Sequence, residues 1–511
     1  VDTVDTEIMR PSHEARSRSV RRAIAIGIVA IAFVAACSRG DAAHTATSNE
    51  GQAKQAPAAA PAPDFAKVSQ LINDAIAANK LPGAVIVVGH GGKIAFHQAY
   101  GSRKLADEPG LDGLPAPAEP MTEDTIFDLA SLTKSLATAT AVMQLYEKGM
   151  VAFDDPVQQY LPDFNTAGDP RRAQVTVRML LTHTSGLPGD VNLGDPWGLN
   201  GADKAEGIRR ALTTPLESAP GERFQYSDIN FLLLGALVEK ATGESLDVYV
   251  QGQIFDPLRL TDTHYLPVAK ACGSHTTLGS AIAWAPVPQD WAHDACPAGT
   301  WDVDLLPRIA PTARDEEGRA DPGNNPDLDH LLRGTVQDTT ARRMGGVAGH
   351  SGVFSTAHDV GIFAQALLDR LAGRPSQFPL AQKTLESMTS PQQPGHNAQQ
   401  IDAANAAARA AVASTPNAAD PLLAPHYPAI AGANLRGVGW DIDTADSTAR
   451  GVVFPIGSFG HTGFTGTSLW LDPGSDTYVV LLSNSIHVRG SPPMSILRGD
   501  VATASARALG L

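Results

Sequence analysis

The stretch from Phe127 to Tyr146 constrains the fold more than any other part of the chain. Leu132, Leu136, Ala139, Val142, Met143 and Tyr146 recur at helical spacing, which predicts a helix from about Ser131 with one buried stripe. Ser131 then sits at or just before the first turn, where backbone N–H groups lack partners. Lys134 follows three residues later, so its ammonium stands over the same face as the Ser131 hydroxyl. A serine hydroxyl is a weak nucleophile until a neighbour takes its proton or lowers its pKa. A lysine held beside it and partly desolvated does either. Serine and lysine are common residues, so the pair gains meaning only from the rest of the chain.

The chain of 511 residues is 43% hydrophobic, ample for one large domain or two intimate ones. A net charge of −15 argues against a nucleic-acid role. Cys37, Cys272 and Cys296 have no metal-type spacing, and neither a His-Glu-x-x-His motif nor a phosphate-binding or dinucleotide-binding glycine pattern occurs. The expectation is therefore no metal and no cofactor.

The N-terminus reads as a targeting segment. Arg16, Arg18, Arg21 and Arg22 form a basic flank before an apolar run from Ala23 to Ala36. At about 14 residues the run suits a signal-peptide core rather than a membrane span. It ends Val34-Ala35-Ala36-Cys37-Ser38, which resembles a bacterial lipobox and makes Cys37 the expected lipidated N-terminus. Residues 1–37 are thus expected to be a lipoprotein signal peptide; Ser38 rather than Asp after the cysteine resembles outer-membrane sorting, so the mature protein is expected to be lipid-anchored in the periplasm, to the outer membrane. Residues 38–64 are polar and then Ala/Pro-rich, a composition that cannot bury enough surface to fold and serves as a tether.

A folded domain is expected over 65–511. Phe65, Val68, Ile72, Ala75 and Ile76 mark an opening helix, ended near Leu81-Pro82-Gly83. Ala84–Val88 and Ile94–Tyr100 flank Gly91-Gly92 as a hairpin. A short helix starts at Asp154–Val157, and another begins with Thr176 and ends on Gly186. An apolar helix runs from Phe231 to Lys240 and stops at Gly243. Thr356 and Asp359 are placed like a capping box before a helix whose stripe is Val360, Phe363, Ala364, Leu367, Leu368 and Leu371. Gly437–Ile442, Thr467–Leu471 and Tyr478–Leu482 read as strands, and a closing helix holds Ile496, Val501, Ala504 and Leu509. Insertions fall near 271–300 and 397–434. In the first, Cys272 and Cys296 either pair or remain two buried thiols. The order predicts an α+β fold: an antiparallel sheet built from both chain ends, covered by helices, with a mostly helical domain inserted.

Three separated motifs then align: Ser131-x-x-Lys134, Tyr226-Ser227-Asp228 and His461-Thr462-Gly463. Together they resemble the serine β-lactamase and penicillin-binding-protein superfamily, in its branch of class C β-lactamases, D-Ala-D-Ala carboxypeptidases and family VIII esterases. Leu180–Leu187, Leu258–Thr263 and Gly345–Ser355 also look like that branch's connecting segments, and the resemblance covers about Phe65 to Val488. It implies that Ser131 attacks a carbonyl and forms an acyl-enzyme. Lys134 depresses the pKa of Ser131 and Tyr226, and Tyr226 acts as general base and then as proton donor. Backbone N–H groups of Ser131 and Phe464 hold the oxyanion.

Two departures from the family pattern bear on substrate. The third motif usually begins with lysine, and neutral His461 is a weaker anchor for a substrate carboxylate. The tyrosine motif often ends in asparagine, whereas ionised Asp228 only accepts hydrogen bonds and suits Lys134 as a partner. Asp228, His461, Thr462 and Gly463 are the expected substrate-binding residues, and His183 and His350 read as structural braces of glycine turns. The resemblance implies a serine hydrolase for an ester or a peptidoglycan-derived amide, a weak β-lactamase at most. A silent protein that binds peptidoglycan peptides is the alternative.

Overall fold

Apolar runs at both ends of the chain, buried on both faces, build the central sheet of this computed structural model. It describes residues 62–285, 295–317, 322–393, 396–414, 429–430 and 432–511. The expected signal peptide, Cys37 and the tether up to residue 61 lie outside the described residues, as do 286–294 and 415–428 within the two insertions.

The N-terminal part supplies strands β1 (Gly83–His90), β2 (Lys93–Lys104) and β3 (Glu119–Pro120). The C-terminal part supplies β4 (Leu435–Arg436), β5 (Asp441–Asp443), β6 (Phe459–Thr462), β7 (Ser468–Asp472) and β8 (Thr477–Ser483). They form one antiparallel sheet in the order β4-β5-β6-β7-β8-β1-β2-β3. The seam between the chain ends pairs Val85 with Leu482 and Val87 with Val480.

Period-two alternation sorts these strands between two cores. Ala84, Ile86, Val88, Val479 and Leu481 pack with helix α1 (Ala66–Ala77) and the closing helix (Ser495–Ala508). Val85, Val87, Val480 and Leu482 turn to the other face, where the helix Ala357–Leu371 and the inserted helical body cover them. Of the apolar residues expected in the closing helix, Val501 is buried, with Ala502 and Ala506 beside it, whereas Ile496 is 64% exposed.

The Ser131 helix is not an amphipathic surface helix. It winds as a π-helix over Lys134–Ala139 and as an α-helix over Thr140–Glu147, and every residue from Leu132 to Leu145 is buried. Its polar side chains have partners: Ser135 Oγ donates to Gly439 O at 2.7 Å and Thr138 Oγ1 to Gly349 O at 2.7 Å. Only at its end does the expected stripe fail, with Tyr146 exposed and stacked on Phe153.

Other segments differ in ways the local chemistry explains. The expected strand Gly437–Ile442 is broken by a turn, because Gly439 takes φ +72° and any Cβ there would lie 2.4 Å from Ala139 Cβ. That turn lets the sheet edge press onto the Ser131 helix. Thr356 Oγ1 caps Asp359 N at 3.1 Å, but the Asp359 carboxylate accepts from Asp262 N and Thr263 Oγ1 instead of completing a box. The helix capped by Thr176 stops at Leu181, before a left-handed His183. Within the second insertion a helix spans Ala398–Ser414. Cys272 and Cys296 form a disulfide, with Cα atoms 5.8 Å apart.

Candidate active site

The site is assembled on a strained turn. Ala130, next to Ser131, has φ +48°, a left-handed conformation that a non-glycine residue holds only when its surroundings over-determine it. Asp128 does much of this, accepting from Ala130 N at 2.9 Å and from Gln337 N at 2.8 Å. Burial still pushes its carboxyl up to about 6, against those two hydrogen bonds. From the sheet, Thr465 Oγ1 donates to Asp128 O at 2.8 Å and Thr467 Oγ1 to Leu129 O at 2.9 Å. Ser131 therefore emerges from a fixed corner at the head of the buried helix.

Lys134 is fully buried beneath it. Its Nζ donates to Ser131 Oγ at 2.9 Å and to His350 O at 3.2 Å, and lies 2.6 Å from Asp228 Oδ1. Burial works against the ammonium, but attraction to Asp228 and then to Tyr226 outweighs it, and the pKa is pushed up to about 12. At neutral pH Lys134 is a cation.

Tyr226 precedes the helix Asp228–Thr242. Its phenol is in hydrogen-bonding reach of both Lys134 and Ser131, and Lys134 Nζ stands 5.0 Å from its ring centroid. Lys134 was expected to hold this phenol near phenolate. The balance runs the other way: burial pushes the phenol above its ordinary value, Asp228 adds to the rise, and Lys134 only partly offsets them. The resting pair is ammonium and neutral phenol.

His183 fixes the phenol's ring. It stacks on Tyr226 with centroids 4.4 Å apart, and its Nδ1 accepts from Ser227 N at 3.1 Å. Nδ1 is thus unprotonated, and burial, with Arg436 and Lys134 nearby, holds the imidazole well below its usual range. His350 contributes its carbonyl to Lys134, while its Nε2 sits 2.8 Å from Asp338 Oδ1.

The third motif closes the site from the sheet. His461 and Thr462 end β6, and Gly463 follows. A Cβ at Gly463 would lie 2.1 Å from Thr467 Oγ1 and 2.4 Å from Leu129 O, so only glycine brings this strand end onto the Ser131 turn. His461 Nδ1 lies 2.8 Å from Thr462 O; a carbonyl only accepts, so Nδ1 carries the proton and Nε2 is a bare acceptor. Burial, Arg436 and Lys134 hold His461 well below its ordinary range, and it is neutral. Among the described residues, neither the Ser131 nor the Phe464 N–H donates to a protein group. The Phe464 side chain is 73% exposed.

Ser131, Tyr226, Arg436, His461, Thr462 and Phe464 share one cavity of about 250 Å³. A second hollow of about 650 Å³, lined in part by Arg314, Arg343 and Arg489, begins at Phe464. The structure thus brings Ser131, Lys134, Tyr226, Asp228 and the 461–464 segment together from three separate segments of the chain. Sequence reasoning missed Asp128 and Arg436. Asp128 had a signal, as a carboxylate inside an apolar run; Arg436 had none, as a lone arginine at the border of an Ala/Asn/Pro-rich insertion.

A lysine-supported serine at a helix head, facing a tyrosine across an antiparallel α+β fold, defines a serine hydrolase. The chain belongs to the Beta-lactamase family, whose model matches residues 68–498. It is 31% identical over 431 residues to the N-acetylmuramyl-L-alanine amidase of Bacillus subtilis (strain 168), covering 82% of this chain and 81% of that one. It is 29% identical over 416 residues to an Escherichia coli (strain K12) protein provisionally named a D-alanyl-D-alanine carboxypeptidase, covering 80% and 79%. Among solved structures, unliganded simvastatin synthase from Aspergillus terreus matches in fold with a TM-score of 0.55 at 22% identity, over 87% of this chain and 98% of that one.

Proposed function

We propose that this chain is a lipid-anchored periplasmic serine hydrolase that cleaves an amide or ester of an alanine-bearing cell-wall fragment through an acyl-enzyme. In this reading residues 1–37 are removed or processed at Cys37, 38–64 tether the enzyme to the membrane, and 65–511 form the hydrolase domain. The names of the two relatives support the substrate class, since both specify amides of alanine. The observation that carries the chemistry is Lys134 Nζ at 2.9 Å from Ser131 Oγ, with the Tyr226 phenol in reach of both.

The steps follow from these positions. Ser131 Oγ bonds to the substrate carbonyl carbon as its proton passes to the Lys134–Tyr226 pair, which must first have lost one proton. The carbonyl oxygen becomes an oxyanion held by the Ser131 and Phe464 N–H groups. Tyr226 passes the proton to the leaving nitrogen or oxygen, and the old acyl bond breaks. Water then attacks the acyl carbon, gives its proton to the same pair, and Ser131 leaves with its proton restored. A neutral His461 in place of an ammonium disfavours efficient β-lactam hydrolysis.

Protein lacking residues 1–37 is expected to hydrolyse a short-chain p-nitrophenyl ester, with nitrocefin turned over slowly. Ser131→Ala is expected to abolish the ester activity; unchanged turnover in that variant would remove the proposal. Labelling by a covalent serine probe without any turnover would favour the silent binder.

A further inference from the structure

We infer that His350 is a positioning residue of this site: its imidazole, braced on Asp338, holds the backbone carbonyl that receives Lys134 and so keeps the Lys134 amine aimed at Ser131. The inference rests on the hydrolase reading above and gives a task to two residues, His350 and Asp338, that the acyl-transfer steps leave unused.

The contacts close a ring around the nucleophile. Lys134 Nζ donates to Ser131 Oγ at 2.9 Å and to His350 O at 3.2 Å. His350 Nε2 lies 2.8 Å from Asp338 Oδ1. Gln337, the neighbour of Asp338, donates its N–H to Asp128 Oδ2 at 2.8 Å. Asp128 Oδ1 accepts from Ala130 N at 2.9 Å, one residue before Ser131. The dipeptide Gln337-Asp338 therefore ties the turn that carries Ser131 to the carbonyl that receives Lys134. The same Asp338 oxygen caps the helix Thr339–Arg343 through Ala341 N at 2.8 Å, which fixes the anchor's own place.

The imidazole is what holds that carbonyl. The loop is pinned at both flanks: Thr138 Oγ1 donates to Gly349 O at 2.7 Å, and Val353 N donates to Thr133 Oγ1 at 3.1 Å. Between these pins the N–H groups of His350, Ser351 and Gly352 make no hydrogen bond among the described residues. Apart from Lys134 itself, the side chain of His350, 1% exposed, is what fixes the His350 peptide. An ionised carboxylate only accepts, so Nε2 carries the proton, and the brace holds whether or not Nδ1 is protonated. Burial opposes both charges, yet their mutual attraction outweighs it: His350 is raised above its ordinary value and the Asp338 carboxyl is held down at about 2. Such a charge-assisted bond is stronger than one between neutral groups.

The need for it shows at Lys134. Asp228 Oδ1, 2.6 Å from Nζ, is the strongest pull on the amine. The His350 carbonyl is an uncharged counterweight that takes one N–H and stops Asp228 alone from setting where the amine points.

Detergent-solubilised full chain is assayed with a p-nitrophenyl ester, each variant shown folded by circular dichroism. His350→Phe keeps a ring and loses the donor; kcat is expected to fall about 100-fold while KM stays within about twofold, as for an amine displaced by about 1 Å. His350→Gln, whose amide N–H reaches the same oxygen, should recover to within about fivefold of the native chain. Asp338→Ala should match His350→Phe, and Asp338→Asn should match His350→Gln. The double variant His350→Phe/Asp338→Ala should lose no more than either single change, because the ring opens only once. A purely architectural His350 would lower the melting temperature and leave kcat alone. Native kcat in His350→Phe, equal losses in His350→Phe and His350→Gln, or losses that multiply in the double variant would overturn the inference. If His350→Phe does not fold, the comparison of Asp338→Ala with Asp338→Asn decides in the same way. Failure of the hydrolase reading is separate: it shows as ester turnover that persists in Ser131→Ala.

Discussion

Asp228→Asn tests the electrostatics of the site most sharply. The carboxylate lies 2.6 Å from Lys134 Nζ, and Lys134 is raised from 10.5 to about 12. That rise of about 1.5 units corresponds to roughly 2 kcal/mol. Asp228 leads the groups that raise Lys134, ahead of Tyr226 and against burial, so removing the charge should forfeit about that much. Lys134 and Tyr226 exchange one proton, and their titration belongs to the pair. Asp228 raises both members, so it raises the pair's first proton loss whichever group gives it up. The reactive form has lost that proton. In the native chain, log kcat/KM for a p-nitrophenyl ester should therefore climb with unit slope from pH 7 to pH 9.5 without a plateau. In Asp228→Asn the bend should move down by about 1.5 units. At pH 7 the deprotonated form rises about 30-fold, and the weaker base returns part of this, leaving a gain of several-fold. A profile that does not move, in a variant shown folded by circular dichroism, would refute the reasoning. The linkage has a stability side as well. Because the folded pKa is raised, the roughly 2 kcal/mol is present in full below pH 10.5 and is lost as pH climbs through about 12. Alkaline unfolding should therefore be steeper in the native chain than in Asp228→Asn.

Other outcomes follow from the same geometry. Gly463→Ala puts a Cβ 2.4 Å from Leu129 O, so the strand end must retreat from the Ser131 turn; kcat/KM should fall about 100-fold, and an unchanged value would contradict the close approach. Reducing the Cys272–Cys296 disulfide, or replacing both cysteines with serine, opens a loop of 24-residue separation and should cost roughly 3 kcal/mol by chain entropy, read as a lower denaturant midpoint. No change in midpoint would show that the bridge does not constrain the unfolded chain.

Much of the site was legible because its chemistry demands particular residue types: a nucleophile, a cation to tune it and a phenol to move protons. Ser131, Lys134 and Tyr226 stand out for that reason although 92 residues separate Lys134 from Tyr226. The sheet was legible from the apolar, largely β-branched runs of β1 and β8. Three-dimensional balances were not. That Tyr226 rests as a neutral phenol depends on how burial and Asp228 weigh against Lys134, and spacing carries no such information. Full burial of residues 132–145 was hidden by polar residues such as Ser135 and Thr138, whose hydroxyls find backbone carbonyls on other elements. The turn at Gly439 was hidden inside a run that reads as strand, because its cause is the Ala139 side chain, far away in sequence. Arg436 became visible only when the cavity did.

The acyl-enzyme itself is the most direct test. Protein quenched in acid during turnover of an activated ester is digested and its peptides are weighed. The account predicts a mass increase equal to the acyl group on the peptide that contains Ser131, absent from Ser131→Ala. An adduct on another residue, or continued turnover in Ser131→Ala, would contradict it.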